Sequence, residues 1–284
     1  MVLPINDGPV VDNENISTLE DVPVSGDLTD AGDFDIDGNL VVDTFPSYGP
    51  NNGTITIKPS GDYTYTPGAN FNGEDTVVVR ICDDGTPTPV ICVFDTIFVS
   101  VTPVNDAPTA VNDRDTTLED SSVTFNAASN DEDIDGTIDI ATVDLDPSSG
   151  GQQTNIVNAF GEWTVDFSGN VTFTPKPNFN GDATIQYTIL DDDGVKSNIA
   201  TITVVVLPVN DGPIVDNEEI TTPEDVAVQG FLIDAGDSDI DGNLFADTVL
   251  VLAPSYGTII VDSTGAFTYT PALNYVGNDT VVVR

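Results

Sequence analysis

A chain of 284 residues with 39% apolar side chains has enough apolar material for two or three packed domains, which excludes a disordered acidic tail. Its 48 acidic residues against 6 basic ones give a net charge of −42, which rules against nucleic acid and anionic membranes as partners and makes cations the natural ones. No histidine is present, so imidazole-based catalytic triads and dyads and the usual zinc sites are excluded, and no apolar run reaches the roughly 18 residues of a membrane span.

Val, Ile, Phe and Thr dominate, which is strand composition. In chain order, alternating patterns predict strands at 54–57 and 62–66 around Pro59-Ser60-Gly61, then a second hairpin from 76–82 and 92–101. The same pattern returns at 163–166 and 170–174 around Ser168-Gly169, and at 184–190 and 198–207. No helical period of useful length is found. Tyr63, Tyr65, Trp163, Phe173 and Tyr187 fall within these strands and, with Phe267 at an alternating position of the third copy, read as packing residues rather than as a sugar-binding platform.

Internal repeats organise the chain. Asn6-Asp7-Gly8-Pro9 returns as Asn105-Asp106-Ala107-Pro108 and Asn210-Asp211-Gly212-Pro213, at offsets of 99 and 105 residues. Glu20-Asp21 returns in step as Glu119-Asp120 and Glu224-Asp225. A spacing of about 100 residues is one β-sandwich. The expected fold is all-β, with tandem antiparallel Greek-key sandwiches end to end. Residues 1–8 would be the tail of a preceding repeat, with Val2-Leu3-Pro4 matching Val206-Leu207-Pro208. Repeats would then span 9–106, 107–211 and 212–284. The first and third copies share Asp-Ala-Gly-Asp at 30–33 and 234–237, an offset of 204 that points to a two-domain unit repeated in a longer parent protein. The third copy stops at Arg284, the counterpart of Arg80, so it is expected to lack its last strand and to be loose or strand-swapped in isolation.

The sharpest chemical signal is Asp-x-Asp-x-Asp-Gly. It occurs as Asp33, Asp35, Asp37 and Gly38, and again as Asp131, Asp133, Asp135 and Gly136, and as Asp237, Asp239, Asp241 and Gly242. Calcium needs six to eight oxygen ligands, and alternate carboxylates on a turning loop aim several at one centre. The glycine is expected to permit the tight turn, and the loop to lie between the second and third strands of each sandwich. Three copies in register favour an ion site over a solvated turn. Such a loop could also hold its ion within one domain, helped by Asp83-Asp84 or Asp192-Asp193.

The linker Pro103-Val104-Asn105-Asp106-Ala107-Pro108, the acidic loops, and Tyr65-Thr66-Pro67 followed by Asn70-Phe71-Asn72-Gly73 resemble the cadherin-like, immunoglobulin-like tandem repeats of very large bacterial surface adhesins, of the Bacteroidetes type. The resemblance covers essentially the whole chain. It implies calcium at the domain junctions. Carried over by position, the first junction uses Glu20, Asn105, Asp106, Asp133 and Asp135, and the second Glu119, Asn210, Asp211, Asp239 and Asp241. Asp131 and Asp237 are additional ligands, and the first-copy loop of Asp33, Asp35 and Asp37 has its own Asn6-Asp7 linker. The linker is shorter in acids than in cadherins and no Asp-Arg-Glu equivalent is found, so one or two ions per junction are expected. The resemblance also implies an extracellular, cell-surface location. The partners it implies are calcium and neighbouring repeats, with surface glycans or other cells beyond them.

Cys82 and Cys92 flank residues 83–91 on the two strands of one hairpin, where a disulfide can form if the register is right; two free thiols are the alternative. Paired cysteines around such a loop are similar to those of many Bacteroidetes surface repeats. Asp75-Thr76-Val77 and Asp279-Thr280-Val281 resemble a bacterial O-glycosylation signal. Acids recurring at the same turn in every copy behave as structural ion ligands, whereas a catalytic carboxylate pair would be unique, so no enzyme is expected. The expected function is that of calcium-stiffened spacer repeats of an adhesin or filament. A glycan- or surface-binding module, or accessory repeats of a secreted enzyme, are the alternatives.

Overall fold

A computed structural model of the chain describes Leu3 and residues 5–284. The expected matches of Val2 and Pro4 to a preceding strand lie outside the described residues. The first repeat consists of β1 (Glu14–Leu19), β2 (Val24–Asp27), β3 (Leu40–Val42), β4 (Gly53–Ile57), β5 (Asp62–Pro67), β6 (Gly73–Asp83) and β7 (Cys92–Thr102). They form two sheets, ordered β1-β7-β6-β3 and β2-β5-β4. Alternation sorts the side chains as the sequence predicts. Tyr63 and Tyr65 of β5, Val77, Val79 and Ile81 of β6, and Ile97, Val99 and Val101 of β7 are buried in one core.

One pairing departs from the antiparallel expectation: β1 runs parallel to β7, with Leu19 opposite Thr102. Seven strands that reverse at each connection leave the first and seventh pointing the same way, so they can pair only in parallel. The end of β1 is thereby placed beside the exit of the domain. The second repeat makes the same parallel pairing, β8 (Asp113–Leu118) with β15 (Ala200–Leu207), although it has one strand more.

Between these lie β9 (Val123–Asn126), β10 (Ile138–Asp144), β11 (Asn155–Val157), β12 (Gly161–Val165), β13 (Asn170–Pro175) and β14 (Gly181–Asp191). The sheets are β10-β14-β15-β8 and β11-β12-β13-β9. Trp163 and Phe173 are cross-strand partners with ring centroids 4.1 Å apart, both fully buried. All six aromatic residues singled out from the sequence are buried or half-buried core residues.

The third copy has one sheet, ordered β16 (Val228–Phe231), β18 (Ala266–Pro271), β17 (Gly257–Val261). Its buried core is small: Ala246, Val261 and Phe267. Among the described residues its first sheet is reduced to isolated bridges such as Leu252 to Val282.

The β6–β7 ladder sets Cys82 opposite Cys92, and the two form a disulfide with Cα atoms 4.0 Å apart. Two compact units divide the chain. One holds residues 1–110, 130–140 and 189–198; the other holds 111–129, 141–188 and 199–284. Each linker thus falls inside a single unit, together with the acidic loop it meets.

Candidate metal centres at the linkers

The parallel pairing of first and last strands delivers a buried glutamate to each linker. Glu20 directly follows β1, and its N–H donates to Thr102 O at 3.0 Å. Its Oε1 accepts the N–H of Val104, the second residue after β7, while Oε2 is buried with no hydrogen-bond partner. Glu119 follows β8 in the same way: its N–H donates to Leu207 O at 2.9 Å and its Oε1 accepts the N–H of Val209. The matching geometry of the two ends has one cause, since the strand register fixes where the next residue lands.

At the first linker the Asp106 N–H donates to Asp135, at 3.3 Å to Oδ1 and 3.2 Å to Oδ2. Asp133 Oδ1 accepts the N–H groups of Asp135 at 3.3 Å and Gly136 at 3.1 Å, which folds the loop around that carboxylate. The Oδ2 atoms of Asp106 and Asp133 are buried without partners. Desolvation, then repulsion from Asp135, Glu20, Asp21 and Asp133, raises the Asp106 carboxyl above its ordinary value. Asn105 is oriented by its own amide, which donates to Asp191 Oδ2 at 2.8 Å and to Asp106 O at 3.1 Å.

The second linker repeats this arrangement. Asp211 N–H donates to Asp241 Oδ2 at 2.6 Å, and Asp239 Oδ1 accepts from Asp241 at 2.9 Å and Gly242 at 2.8 Å. Carboxylate oxygens of Glu119, Asp211 and Asp241 lie within 4.8 Å of one another. Asp211 Oδ2 is buried and unpartnered. Desolvation and then Asp241, Asp120, Glu119 and Asp239 raise its carboxyl. Asn210 donates to Asp211 O at 2.7 Å. In the first copy, Asp7 N–H donates to Asp37 Oδ2 at 3.3 Å and Asp37 N–H to Asp35 Oδ1 at 3.0 Å, completing the series.

Not every residue singled out from the sequence gathers there. The first acid of the motif points elsewhere in the first and third copies: Asp33 Oδ1 accepts the Asp12 N–H at 2.9 Å and Asp237 Oδ1 the Asp216 N–H at 3.0 Å. Asp131 holds the corresponding loop position in the second copy. Asp84 and Asp192 fasten the loop from outside, accepting from Asn39 Nδ2 and from Thr137 N–H, both at 2.8 Å. Asp83 accepts from Asn6 Nδ2 at 2.7 Å and from the N–H groups of Gly85 at 2.7 Å and Ile91 at 2.9 Å. The motif glycines correct a further expectation. Neither Gly38 nor Gly136 has positive φ; a Cβ at either would lie 2.8 Å from Oδ1 of Asp84 or Asp192 and would displace that carboxylate, whereas a Cβ on Gly242 would meet Asp239 Oδ1 at an ordinary 3.7 Å. Asp21, Asp120 and Asp191 were missed as neighbours of the linkers. Asp21 and Asp120 do follow the repeated glutamate in each copy, which was a readable signal.

A bacterial Ig domain model matches residues 6–93 and 210–284, and a bacterial cadherin-like domain model matches residues 105–208. Among solved structures, mouse cadherin-23 EC22-24 is similar at TM-score 0.55 and 16% identity, covering 98% of this chain and 93% of that one. Drosophila N-cadherin EC1-4 aligns at TM-score 0.44 and 12% identity, over 96% of this chain and 72% of that one. No curated protein matches the chain in sequence.

Proposed function

The chain belongs to the bacterial Ig-domain family, with a bacterial cadherin-like domain between its two Ig matches, and from that premise we propose that it forms extracellular spacer repeats of a surface adhesin or filament, stiffened by calcium at its linkers. The repeats would run 9–106, 107–211 and 212–284. The observation that carries the reading is the convergence of carboxylates with buried, unpartnered oxygens at two successive linkers. The donors fit a hard cation, being carboxylate and amide oxygens throughout. Glu20, Asn105, Asp106, Asp133 and Asp135 would hold the ion at the first linker. Glu119, Asn210, Asp211, Asp239 and Asp241 would hold it at the second. The bound cation supplies positive charge, which cancels the repulsion that raises Asp106 and Asp211.

The mechanical consequence follows from topology. The glutamate belongs to one repeat, the Asn-Asp pair to the connection, and the Asp-x-Asp loop to the next repeat, so one ion would tie all three. Binding only the assembled state, it would also stabilise that state, by about 2.7 kcal/mol at a calcium concentration about 100 times Kd. The aromatic residues considered for glycan recognition are packed in the cores, which supports the spacer reading over the lectin one. Calorimetric titration with calcium tests the proposal: the full chain should bind at roughly micromolar to millimolar concentrations, and Asp106→Asn with Asp211→Asn should remove the part of the heat that the linker sites contribute.

A further inference from the structure

A second group of acids lies within the first repeat, away from the linker that follows it. Carboxylate oxygens of Asp12, Glu14, Asp30 and Asp33 lie within 4.8 Å of one another. Asp12 and Glu14 come from the chain entering β1, and Asp30 and Asp33 from the loop between β2 and β3. Beneath them Asp95 is fully buried near the start of β7.

Several observations beyond the clustering point to a ligand. Asp33 is only 8% exposed and Asp95 0%, and both Oδ2 atoms have no hydrogen-bond partner; Glu14 Oε1 and the Tyr63 hydroxyl are likewise buried and unpartnered. Nearby acids act on Asp95 as well as on the cluster. Burial, then repulsion from Asp30, Asp95, Asp33 and Asp12, pushes Glu14 up to about 7, and burial foremost pushes Asp95 up to about 6, with Asp33, Asp12 and Asp30 adding to it. Among the described residues the ion pairs are Lys58–Asp62 and Arg80–Asp43, so no basic side chain neutralises this group. The backbone also makes room: a Cβ on Gly32 would lie 2.6 Å from Asp12 Oδ1.

We propose that Asp12, Glu14, Asp30, Asp33 and Asp95 form an intradomain site for a hard divalent cation of calcium's size, separate from the linker sites. An all-oxygen, strongly anionic donor set gathered from the start of β1, the loop between β2 and β3, and β7 suits calcium better than magnesium, which demands a near-ideal octahedron. The ion pins the first residues of the repeat to the loop that carries Asp35 and Asp37, so it orders the loop from inside.

The third copy carries the four-acid part of this construction in a more exposed setting. Asp216, Glu218, Asp234 and Asp237 cluster within 4.8 Å, and a Cβ on Gly236 would lie 2.5 Å from Asp216 Oδ2. The second copy differs. The pairings of β1 with β7 and of β8 with β15 align Asp12 with Val111 and Asp95 with Ala200. The 99-residue offset between β2 and β9 puts Ser129 at the position of Asp30. The site is therefore assigned to alternate repeats, with the 204-residue period of the sequence.

The test is calcium stoichiometry and amide exchange on the full chain with calcium as the only added ligand. Glu14→Gln with Asp95→Asn should remove one bound calcium per chain, and calcium-dependent slowing of the Asp12 and Gly32 amides should vanish. Both substitutions relieve repulsion, so the variant is expected to fold; melting without calcium at or above the wild-type temperature confirms that it has. A second variant, Asp35→Asn with Asp37→Asn, removes the outer carboxylates of the same loop, and the Asp12 and Gly32 slowing should survive it. Unchanged stoichiometry in the first variant overturns the proposal. So does loss of the slowing in the second, which would assign the signal to the linker site instead.

Discussion

Tyr65 donates its hydroxyl to Asp75 Oδ2 at 3.0 Å inside the first repeat, and the second repeat replaces both partners together, with Phe173 and Ala183 at the equivalent positions of β13 and β14. Asp75 also accepts the N–H groups of Asn51 at 3.0 Å, Asn52 at 2.9 Å and Thr76 at 2.8 Å. Tyr269 and Asp279 rebuild the pair in the third copy, again at 3.0 Å. The Asp-Thr-Val string thus has a structural cause, a carboxylate that clasps the entry to β4. Removing one partner strands a buried polar group, while removing both costs little. Asp75→Ala is expected to destabilise the first repeat by about 3 kcal/mol and Tyr65→Phe by about 1 kcal/mol. The double variant should fall short of the sum, as a denaturant-based mutant cycle would show.

The same carboxylate sets a pH dependence. Burial opposes ionisation of Asp75, but the three N–H groups and the tyrosine hydroxyl outweigh it and hold its carboxyl below the ordinary value. A carboxyl whose folded value is depressed stabilises the fold above its unfolded value, near 3.9, and that stabilisation is lost as pH falls through the lower folded value. Acid melts of wild type should therefore lose stability below about pH 4 more steeply than melts of Asp75→Asn.

Trp163 is the chain's single tryptophan and is fully buried in the second repeat. Its fluorescence should report the unfolding of that repeat alone, with blue-shifted emission in the folded state. Trp163→Ala should cost about 3–5 kcal/mol there. A transition in far-ultraviolet dichroism that survives this substitution would mark the other repeats.

The disulfide closes a short loop, with Cys82 and Cys92 separated by 10 residues. Chain-entropy arguments allow it about 2.5 kcal/mol. Cys82→Ser with Cys92→Ser should lower the denaturation midpoint of the first repeat and leave the tryptophan-monitored midpoint where it was.

Much of this was legible beforehand, and what was not has a common physical reason. Alternation located β5, β6, β7 and their counterparts because a strand's inward face is a local property. The linker glutamates were found because they recur at a fixed offset, although nothing local says that Glu20 reaches Val104; parallel pairing of β1 with β7 does that. The inner cluster was overlooked because Asp12, Asp30 and Asp95 meet only through the sheet. Motif spacing grouped Asp33 with Asp35 and Asp37, but alternate residues on the loop diverge: Asp33 turns inward to Asp12, while Asp37 meets the linker at Asp7. Gly38 was read as a turn residue, and only the position of Asp84 reveals the clearance it provides.

Small-angle scattering of the full chain, with calcium and then with excess chelator, tests the central claim most directly. Calcium bridging the linkers predicts a larger maximum dimension and a narrower conformational distribution with the ion, both reversed by the chelator and both weakened in Asp106→Asn with Asp211→Asn. Superimposable scattering with and without calcium would contradict it.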